Sequence, residues 1–286
     1  MFSPSSWNFL GLGSSETSFR EARFIVVPVP YDSTASYRSG GRDGPRRVIE
    51  ASRYLELFDT ELEQEPYTKG VFTVEEVEPV RGSAAETVDS IRSITGSILQ
   101  KGKMPVLIGG EHTITLGAVR ALPEDTVVVD LDAHADLRDT YLGDSICHAC
   151  VMRRILEEGR EVVEVGVRSM SKEEFQYARE EGVPIFTREA VREIGPVLKR
   201  IRSLVEGRRV YLSIDIDVFD PSEAPGVSTP EPDGLSFREV KEIIRDVCRS
   251  SEVVGFDLVE VTPIPGNTIT EFLAAAVIYK VMGYVR

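Results

Sequence analysis

The sequence predicts a single three-layer α/β/α domain built on a mainly parallel sheet of about eight strands. Apolar runs of strand length recur along the chain, and each is followed by a segment with helical periodicity. In most of these runs apolar residues stand at consecutive positions and do not alternate with polar ones, which is typical of strands buried on both faces of a parallel sheet. No internal repeat or linker divides the 286 residues, so we expect one domain over 1–286, with an irregular segment at 1–20.

Eight segments are candidate strands because they combine strand length with β-branched and aromatic residues. They are 24–30 (FIVVPVP), 71–77 (VFTVEEV), 104–110 (MPVLIGG), 126–132 (TVVVDLD), 161–167 (EVVEVGV), 183–186 (VPIF), 210–216 (VYLSIDI) and 253–261 (VVGFDLVEV). Helical periodicity is found at 44–57, 83–101, 113–122, 147–158, 171–181, 188–206, 236–249 and 268–283. Open parallel sheets bind ligands at the carboxyl ends of their strands, so residues that follow a strand are the candidates for function.

Composition narrows the class of protein. A net charge of -14 argues against nucleic acid and anionic membranes as partners and favours small cationic ligands. No stretch approaches a membrane span of about 20 apolar residues, and the first residues lack the features of a secretory signal, so we expect a cytoplasmic protein. The odd number of cysteines, three, does not suggest a disulfide framework. The chain has only two Asn and three Gln beside many Glu and Arg, a composition that is typical of thermophile proteins.

The strand at 127–138, VVVDLDAHADLR, turns acidic at its end. Side chains two residues apart on an extended chain point the same way, so Asp132, His134 and Asp136 can converge on one place. Buried carboxylates without a partner are costly, and the run contains no Lys or Arg before Arg138. A metal ion would supply the missing positive charge.

Two further strand ends repeat this pattern, since Asp215 and Asp217 end one apolar run and His112 follows another. A single histidine is more often an ordinary core or surface residue, but the three in this chain all follow strands or lie in loops near them. Carboxylates with a minority of imidazoles suit manganese or a similar divalent ion. Six ligands are too many for one ion, so two ions sharing bridging aspartates fit better and would activate a water near neutral pH.

Glu260 ends the last predicted strand and is expected at the same crevice. Its carboxylate is a planar acceptor whose geometry matches two parallel hydrogen bonds from a guanidinium group. The alternative is an ordinary loop carboxylate.

These motifs resemble those of the ureohydrolases, the family of arginase and agmatinase, whose fold histone deacetylases share. The resemblance is closest to agmatinase and covers about residues 24–286. The matching segments are GGEHTITLG (109–117), DAHAD (132–136), SIDIDVFDPSEAPGVSTPEPDGL (213–235) and YRSGGRDGPRRVIEAS (37–52).

The resemblance implies a role for each candidate residue. One manganese ion would be held by His112, Asp132, Asp136 and Asp215, and the other by His134, Asp132, Asp215 and Asp217. Asp136 would also orient the attacking water, Glu260 would hold the guanidinium, and His148 would shuttle protons near the leaving amine. The products would be urea and an amine, and the assembly a homo-oligomer, a trimer or a hexamer.

Several positions depart from the family pattern. Cys147 and Ala149 flank His148 where Ser and Gly are usual, GVST replaces Gly-Thr-Gly-Thr, and PIPGNT follows Glu260 where many agmatinases have Asp-His. Asp130 is a further acidic residue, either a partner of a metal ligand or a strained neighbour. Cys147 and Cys150 form a C-x-x-C pair that can be redox-active or half of a zinc site, but two small apolar residues on a helix face are the favoured interpretation.

The loop LRDTYLGDSIC (137–147) contains Asp139 and Asp144 and no Asn, so a substrate carboxylate would meet negative charge there. This favours agmatine, or a larger guanidino-polyamine such as aminopropylagmatine, over arginine. Our first hypothesis is agmatine, with putrescine as product in polyamine biosynthesis, and the alternatives are aminopropylagmatine and arginine. Two other classes stay open: a different metallohydrolase, such as a deacetylase or a phosphatase, and a non-catalytic metal-binding protein. The His-His pair expected of a deacetylase is absent, and few cationic groups of the kind expected in a phosphatase lie near the motifs.

Overall fold

The computed structural model describes residues 5, 7–13 and 16–286 and confirms the predicted α/β architecture. Its strands are β1 (Phe24–Val29), β2 (Val71–Thr73), β3 (Met104–Gly109), β4 (Val127–Leu131), β5 (Val162–Val165), β6 (Ile185–Phe186), β7 (Arg209–Ile214) and β8 (Glu252–Leu258). They form one sheet in the order β2-β1-β3-β8-β7-β4-β5-β6. All the strand pairings within it are parallel.

Helices cover both faces of the sheet. They are α1 (Gly44–Ser52), α2 (Ala84–Leu99), α3 (Ile114–Val119), α4 (Val151–Glu157), α5 (Lys172–Glu181), α6 (Arg188–Val191), α7 (Ile194–Val205), α8 (Phe237–Ser250) and α9 (Ile269–Tyr284). One apolar core lies between the sheet and α1, α7, α8 and α9, and the other lies between the sheet and α2 to α5. The three layers follow from strands that are apolar on both faces.

Some element boundaries differ from those predicted. The segment 71–77 is a strand only to Thr73, because this edge strand pairs with β1 over three residues and the chain then turns polar. The helix predicted at 188–206 is two helices, with Pro196 in the first turn of the second, where a missing N–H costs little. Of the irregular segment expected at 1–20, residues 1–4, 6 and 14–15 lie outside the described residues, and the rest contains one 3₁₀ turn, Phe9–Gly11.

The order of the central strands positions the functional residues. The adjacent strands β3, β8, β7 and β4 all run in one direction, so their carboxyl ends meet at one edge of the sheet. His112, Glu260, Asp215 and Asp132 each follow one of these four strands within a few residues. Within the described residues, no helix has both the length and the apolar composition needed to span a bilayer.

Candidate active site

Two groups of side chains are arranged to bind metal ions. One group consists of His112, Asp132 and Asp136, and the other of Asp132, His134 and Asp217. Within each group the potential ligand atoms all lie within 4.8 Å of one another. Asp132 belongs to both groups, so the geometry fits a pair of ions that share this carboxylate.

The distances within the cluster are short. His112 Nδ1 lies 3.0 Å from Asp132 Oδ2 and 3.1 Å from Asp136 Oδ2. Asp215 Oδ2 is 3.6 Å from the same nitrogen, which places this carboxylate beside the first group. His134 Nδ1 lies 2.9 Å from an oxygen of Asp217. The structure therefore brings together all six residues that the sequence predicts as metal ligands.

The chemistry of these atoms fits divalent cations. His112 Nδ1 and Asp132 Oδ2 are buried and lack hydrogen-bond partners. In the described part of the chain, the ion pairs of Asp132, Asp136 and Asp217 are all with histidines and none with lysine or arginine. Buried carboxylates at such spacing repel one another unless a cation neutralises them.

The protein charges at the site shift the pKa values of its groups. Burial, reinforced by the charge of Asp132, raises the pKa of Asp136 to about 7. Burial lowers the pKa of His134, but the charges of Asp217 and Asp132 outweigh it and raise that pKa to about 12. Without metal the cluster thus holds protons that a bound cation would displace.

Glu260 is tied directly to the metal-binding cluster. Its Oε1 accepts a hydrogen bond from the backbone N–H of His112 at 2.7 Å, and its Oε2 accepts one from Ser228 Oγ at 2.6 Å. Its own N–H donates to the carbonyl of Gly110 at 2.7 Å. A side chain at position 110 would collide with the Tyr31 carbonyl oxygen, 2.1 Å from where a Cβ would lie, so glycine is required for this close approach.

Two site residues adopt a backbone conformation that is rare outside glycine. Asp136 has a φ of 49° and Glu260 a φ of 67°. Left-handed backbone at a residue other than glycine costs about 1 kcal/mol or more, and it clusters at functional sites. Here it turns both carboxylates into the same cavity.

A layer of polar groups supports His112 from behind. Its Nε2 lies 2.8 Å from Ser213 Oγ, which in turn donates to Asp257 Oδ1 at 2.8 Å. Asp130 Oδ1 is 3.5 Å from the same ring nitrogen, so Asp130 contacts a proposed ligand from beneath the cluster. Because these contacts occupy Nε2, Nδ1 is the ring nitrogen that faces Asp132 and Asp136.

A cavity of about 290 Å³ opens above the cluster. Six of the eight predicted site residues line it, all except His112 and Asp132: His134, Asp136, His148, Asp215, Asp217 and Glu260. Six of the lining side chains are carboxylates and one, Arg138, is a guanidinium.

The negative charge of this cavity has a different source from the one that the sequence suggests. Asp139 and Asp144 are not among the residues that line it. Asp139 instead pairs with Arg154 at 3.0 Å and Arg153 at 3.6 Å on the surface. Among the described residues, the lining carboxylates outside the cluster are Glu260, Glu174 and Glu231, and sequence reasoning missed the last two.

Three further residues missed from the sequence touch the site: Thr34, Ser213 and Ser228. Ser228 lies in the GVST segment, whose difference from the family pattern was the available signal. Ser213 precedes the Asp215 motif by two residues, so strand alternation could have placed it near the ligands. No local pattern in the sequence indicated Thr34, because the residue that it contacts, His148, is 114 positions away in the chain.

The C-x-x-C pair lies beside the cavity in the 3₁₀ turn that leads into α4. Cys147 and Cys150 are buried, unbridged thiols whose Sγ atoms are 3.3 Å apart. Neither belongs to a metal-binding group among the described residues.

Comparisons with known proteins agree with this geometry. The model of the arginase family matches residues 22–283. An N(1)-aminopropylagmatine ureohydrolase of Synechocystis is 38% identical over 94% of this chain and 90% of its own, and an agmatinase of Bacillus anthracis is 34% identical over 95% of each. The agmatine ureohydrolase structure of Thermoplasma volcanium has a TM-score of 0.85 and 34% identity, covering 94% of this chain and 91% of its own.

Proposed function

The chain belongs to the arginase family, and from this premise we propose that it hydrolyses the guanidino group of agmatine to urea and putrescine. Membership makes the protein a guanidino-hydrolysing enzyme of the ureohydrolase type. One observation carries the proposal: Glu260, the acceptor suited to a guanidinium, is hydrogen-bonded to the backbone of His112 in the metal-binding cluster.

We assign the metal ligands residue by residue. His112, Asp132, Asp136 and Asp215 would hold one manganese ion, and His134, Asp132, Asp215 and Asp217 the other. The oxygen-rich set with two imidazoles favours manganese over a thiolate-preferring metal. A bound pair of such ions supplies a water that is deprotonated near neutral pH and a positive charge that stabilises the transition state.

The remaining residues bind and orient the substrate and move a proton. Each Glu260 oxygen accepts one hydrogen bond from the protein and keeps a lone pair for a guanidinium N–H. Asp136 orients the attacking water from its position beside His112. His148 lines the cavity and shuttles a proton, which it accepts from the attacking water and passes to the leaving amine.

The charge of the cavity supports a substrate with a cationic tail. Glu174 is already engaged, because its carboxylate accepts the backbone N–H groups of Leu137 at 3.1 Å and Ser171 at 2.7 Å. Arg138 lies 3.8 Å from the same carboxylate and is thereby neutralised. Glu231 Oε1 lies 3.6 Å from His134 Nε2, and among the described residues Glu231 has no ion pair with lysine or arginine. We therefore assign Glu231 to face the distal ammonium of agmatine, whereas the α-carboxylate of arginine would be repelled there.

A second candidate substrate is N(1)-aminopropylagmatine. One observation favours it: relatives with that name are 37–40% identical to this chain, against 33–35% for the relatives named agmatinase. Its tail carries an additional amine, which the same acidic cavity would accommodate.

Urea release tests the proposal. Purified protein loaded with Mn²⁺ is incubated with agmatine, aminopropylagmatine, arginine and an acetylated lysine peptide, and urea and acetate are measured. We expect urea from agmatine or its aminopropyl derivative with a kcat/KM at least tenfold above that for arginine. An Asp132→Asn variant, which lacks the shared ligand, should release none. Preference for arginine, or acetate release without urea, would refute the assignment.

We also propose a homo-oligomer, a trimer or a hexamer, in the cytoplasm. Tyr54 and Phe272 are exposed and line a groove between α1 and α9, an arrangement suited to contact with another subunit. Light scattering coupled to size exclusion gives the number of chains, and a monomer at micromolar concentration would contradict this part of the proposal.

A further inference from the structure

His148 is held in place by Thr34, a residue of the loop that follows β1. The hydroxyl oxygen of Thr34 lies 3.0 Å from His148 Nδ1. The backbone N–H of His148 is directed at the same hydroxyl at 3.4 Å. Tyr141 packs edge-on against the imidazole with 5.8 Å between the ring centroids. The ring is thus fixed by contacts that sequence reasoning did not anticipate.

The Thr34 hydroxyl is itself fixed by a buried carboxylate. Glu111 is 1% exposed, and it accepts the Thr34 backbone N–H at 2.7 Å and the Thr34 hydroxyl at 2.6 Å. A third hydrogen bond to this carboxylate comes from Thr113 Oγ1. Burial raises the pKa of Glu111, and the hydrogen bonds from Thr113 and Thr34 oppose that rise because they stabilise the ionised carboxylate, which can only accept.

This arrangement decides which nitrogen of His148 carries a proton. A hydroxyl group has one hydrogen, and that of Thr34 is directed to Glu111. The Thr34 oxygen therefore has only lone pairs to offer His148, so Nδ1 must be the donor. A neutral imidazole with a proton on Nδ1 has an unprotonated Nε2, the nitrogen left available to the cavity that His148 lines.

We propose that Thr34 is a positioning residue for the reaction: its hydroxyl, anchored by Glu111, holds His148 in the Nδ1–H tautomer and presents Nε2 for proton transfer. The identity of the reaction rests on the proposed function, but the tautomer is a property of the chain alone. Burial lowers the pKa of His148, which keeps the imidazole neutral at neutral pH. The position of its single ring proton then decides which nitrogen can accept another proton. Thr34 is absent from the cavity lining in the described structure, so it acts through His148.

Three variants separate the hydroxyl from the shape of the side chain. Thr34→Val removes the hydroxyl at nearly constant volume, Thr34→Ser keeps it, and Ser39→Ala alters an exposed serine of the same loop as a control. We expect Thr34→Val to lower kcat about 10–100-fold, the range seen when a partner that orients a functional histidine is lost, with KM for agmatine changed less than threefold. Thr34→Ser should recover most of that loss.

Nitrogen NMR gives a readout that does not depend on turnover. The chain has three histidines, so protein labelled with ¹⁵N-histidine and loaded with diamagnetic Mg²⁺ gives three pairs of ring signals, and a His148→Gln variant assigns the relevant pair. We expect the Nδ1–H tautomer in the wild type and in Thr34→Ser, and its loss in Thr34→Val.

Each outcome decides the proposal. An Nε2–H tautomer in the wild type, an unchanged kcat in Thr34→Val, or a Thr34→Ser variant as impaired as Thr34→Val would overturn it. If Thr34→Val fails to fold, the wild-type spectrum and the Thr34→Ser kinetics still decide. A wild type that shows the Nδ1–H tautomer but releases no urea would refute the proposed function while leaving the role of Thr34 in orienting His148 intact.

Discussion

The carboxylate of Glu260 accepts a hydrogen bond from the backbone N–H of His112 at 2.7 Å, although 148 residues separate them in sequence. This bond joins the end of β8 to the end of β3 and sets the proposed guanidinium acceptor at a fixed place relative to the proposed metal ligands. The two sets of residues are therefore held together by the backbone, and each set has its own predictions.

Glu260→Gln separates substrate binding from metal binding. Glutamine keeps an oxygen for the His112 N–H but loses the charge and one acceptor for the guanidinium. We expect kcat/KM for agmatine to fall about 100-fold or more, corresponding to roughly 3 kcal/mol, because a charge-assisted pair is lost. Metal content measured by mass spectrometry should be unchanged. A variant that loses its metal would show that Glu260 acts mainly through His112.

Substitution of Asp132 is expected to weaken metal binding more than substitution of a residue that belongs to only one group. Asp132 belongs to both metal-binding groups and Asp217 to one. Asp132→Asn should therefore abolish binding of both ions, whereas Asp217→Asn should retain one ion per chain. Elemental analysis after dialysis from excess Mn²⁺ gives the stoichiometry, and equal losses in the two variants would contradict the assignment of Asp132 as a bridge.

Glu231 is expected to set the preference for a cationic tail. Glu231→Gln should raise KM for agmatine about tenfold, and it should reduce the preference for agmatine over an alkylguanidine of the same length with an uncharged end. Asp233→Asn is a matched control, because it removes the same charge from an exposed residue of the same loop. If both variants show the same loss, the effect comes from overall charge and Glu231 has no specific role.

The ion pairs of Glu61 are expected to make the free energy of unfolding depend on pH. It accepts hydrogen bonds from Lys241, Lys280 and Tyr284, which belong to α8 and α9. Burial alone would raise its pKa, but these partners lower it to about 2, below the ordinary value of 4.5. The stabilisation is thus complete above pH of about 4.5 and is lost as the pH falls towards 2.

Glu61→Gln tests this directly. We expect the free energy of unfolding at pH 7 to fall by about 1 kcal/mol, since the carboxylate is only partly exposed and has several cationic partners. Denaturant unfolding at several pH values should show this difference shrinking between pH 4.5 and 2. A difference that stays constant down to pH 2 would mean that the charge of Glu61 contributes nothing.

Strand positions and strand ends could be predicted from the sequence because both depend on local patterns. The runs before His112, Asp132 and Asp215 have apolar residues at consecutive positions, which is typical of buried strands. The polar residues after such strands meet at one edge of a parallel sheet. The break before α7 was missed, because Pro196 is compatible with the first turn of a helix and so did not mark the boundary clearly.

The surroundings of the predicted residues could not be read from sequence. Asp139 was expected near the substrate, but surface arginines of α4 bind it, and nothing local reveals which way a loop carboxylate points. The partners Thr34 and Ser228 come from loops that are distant in sequence from His148 and Glu260. Contacts of this kind depend on how the whole sheet assembles.

The most direct test of the central claim is a crystallographic anomalous map at the manganese edge from protein loaded with Mn²⁺. We expect two peaks, one between His112, Asp132 and Asp136 and the other between Asp132, His134 and Asp217, with Asp132 in contact with both. A map without peaks at this cluster, or with peaks only at other residues, would contradict it.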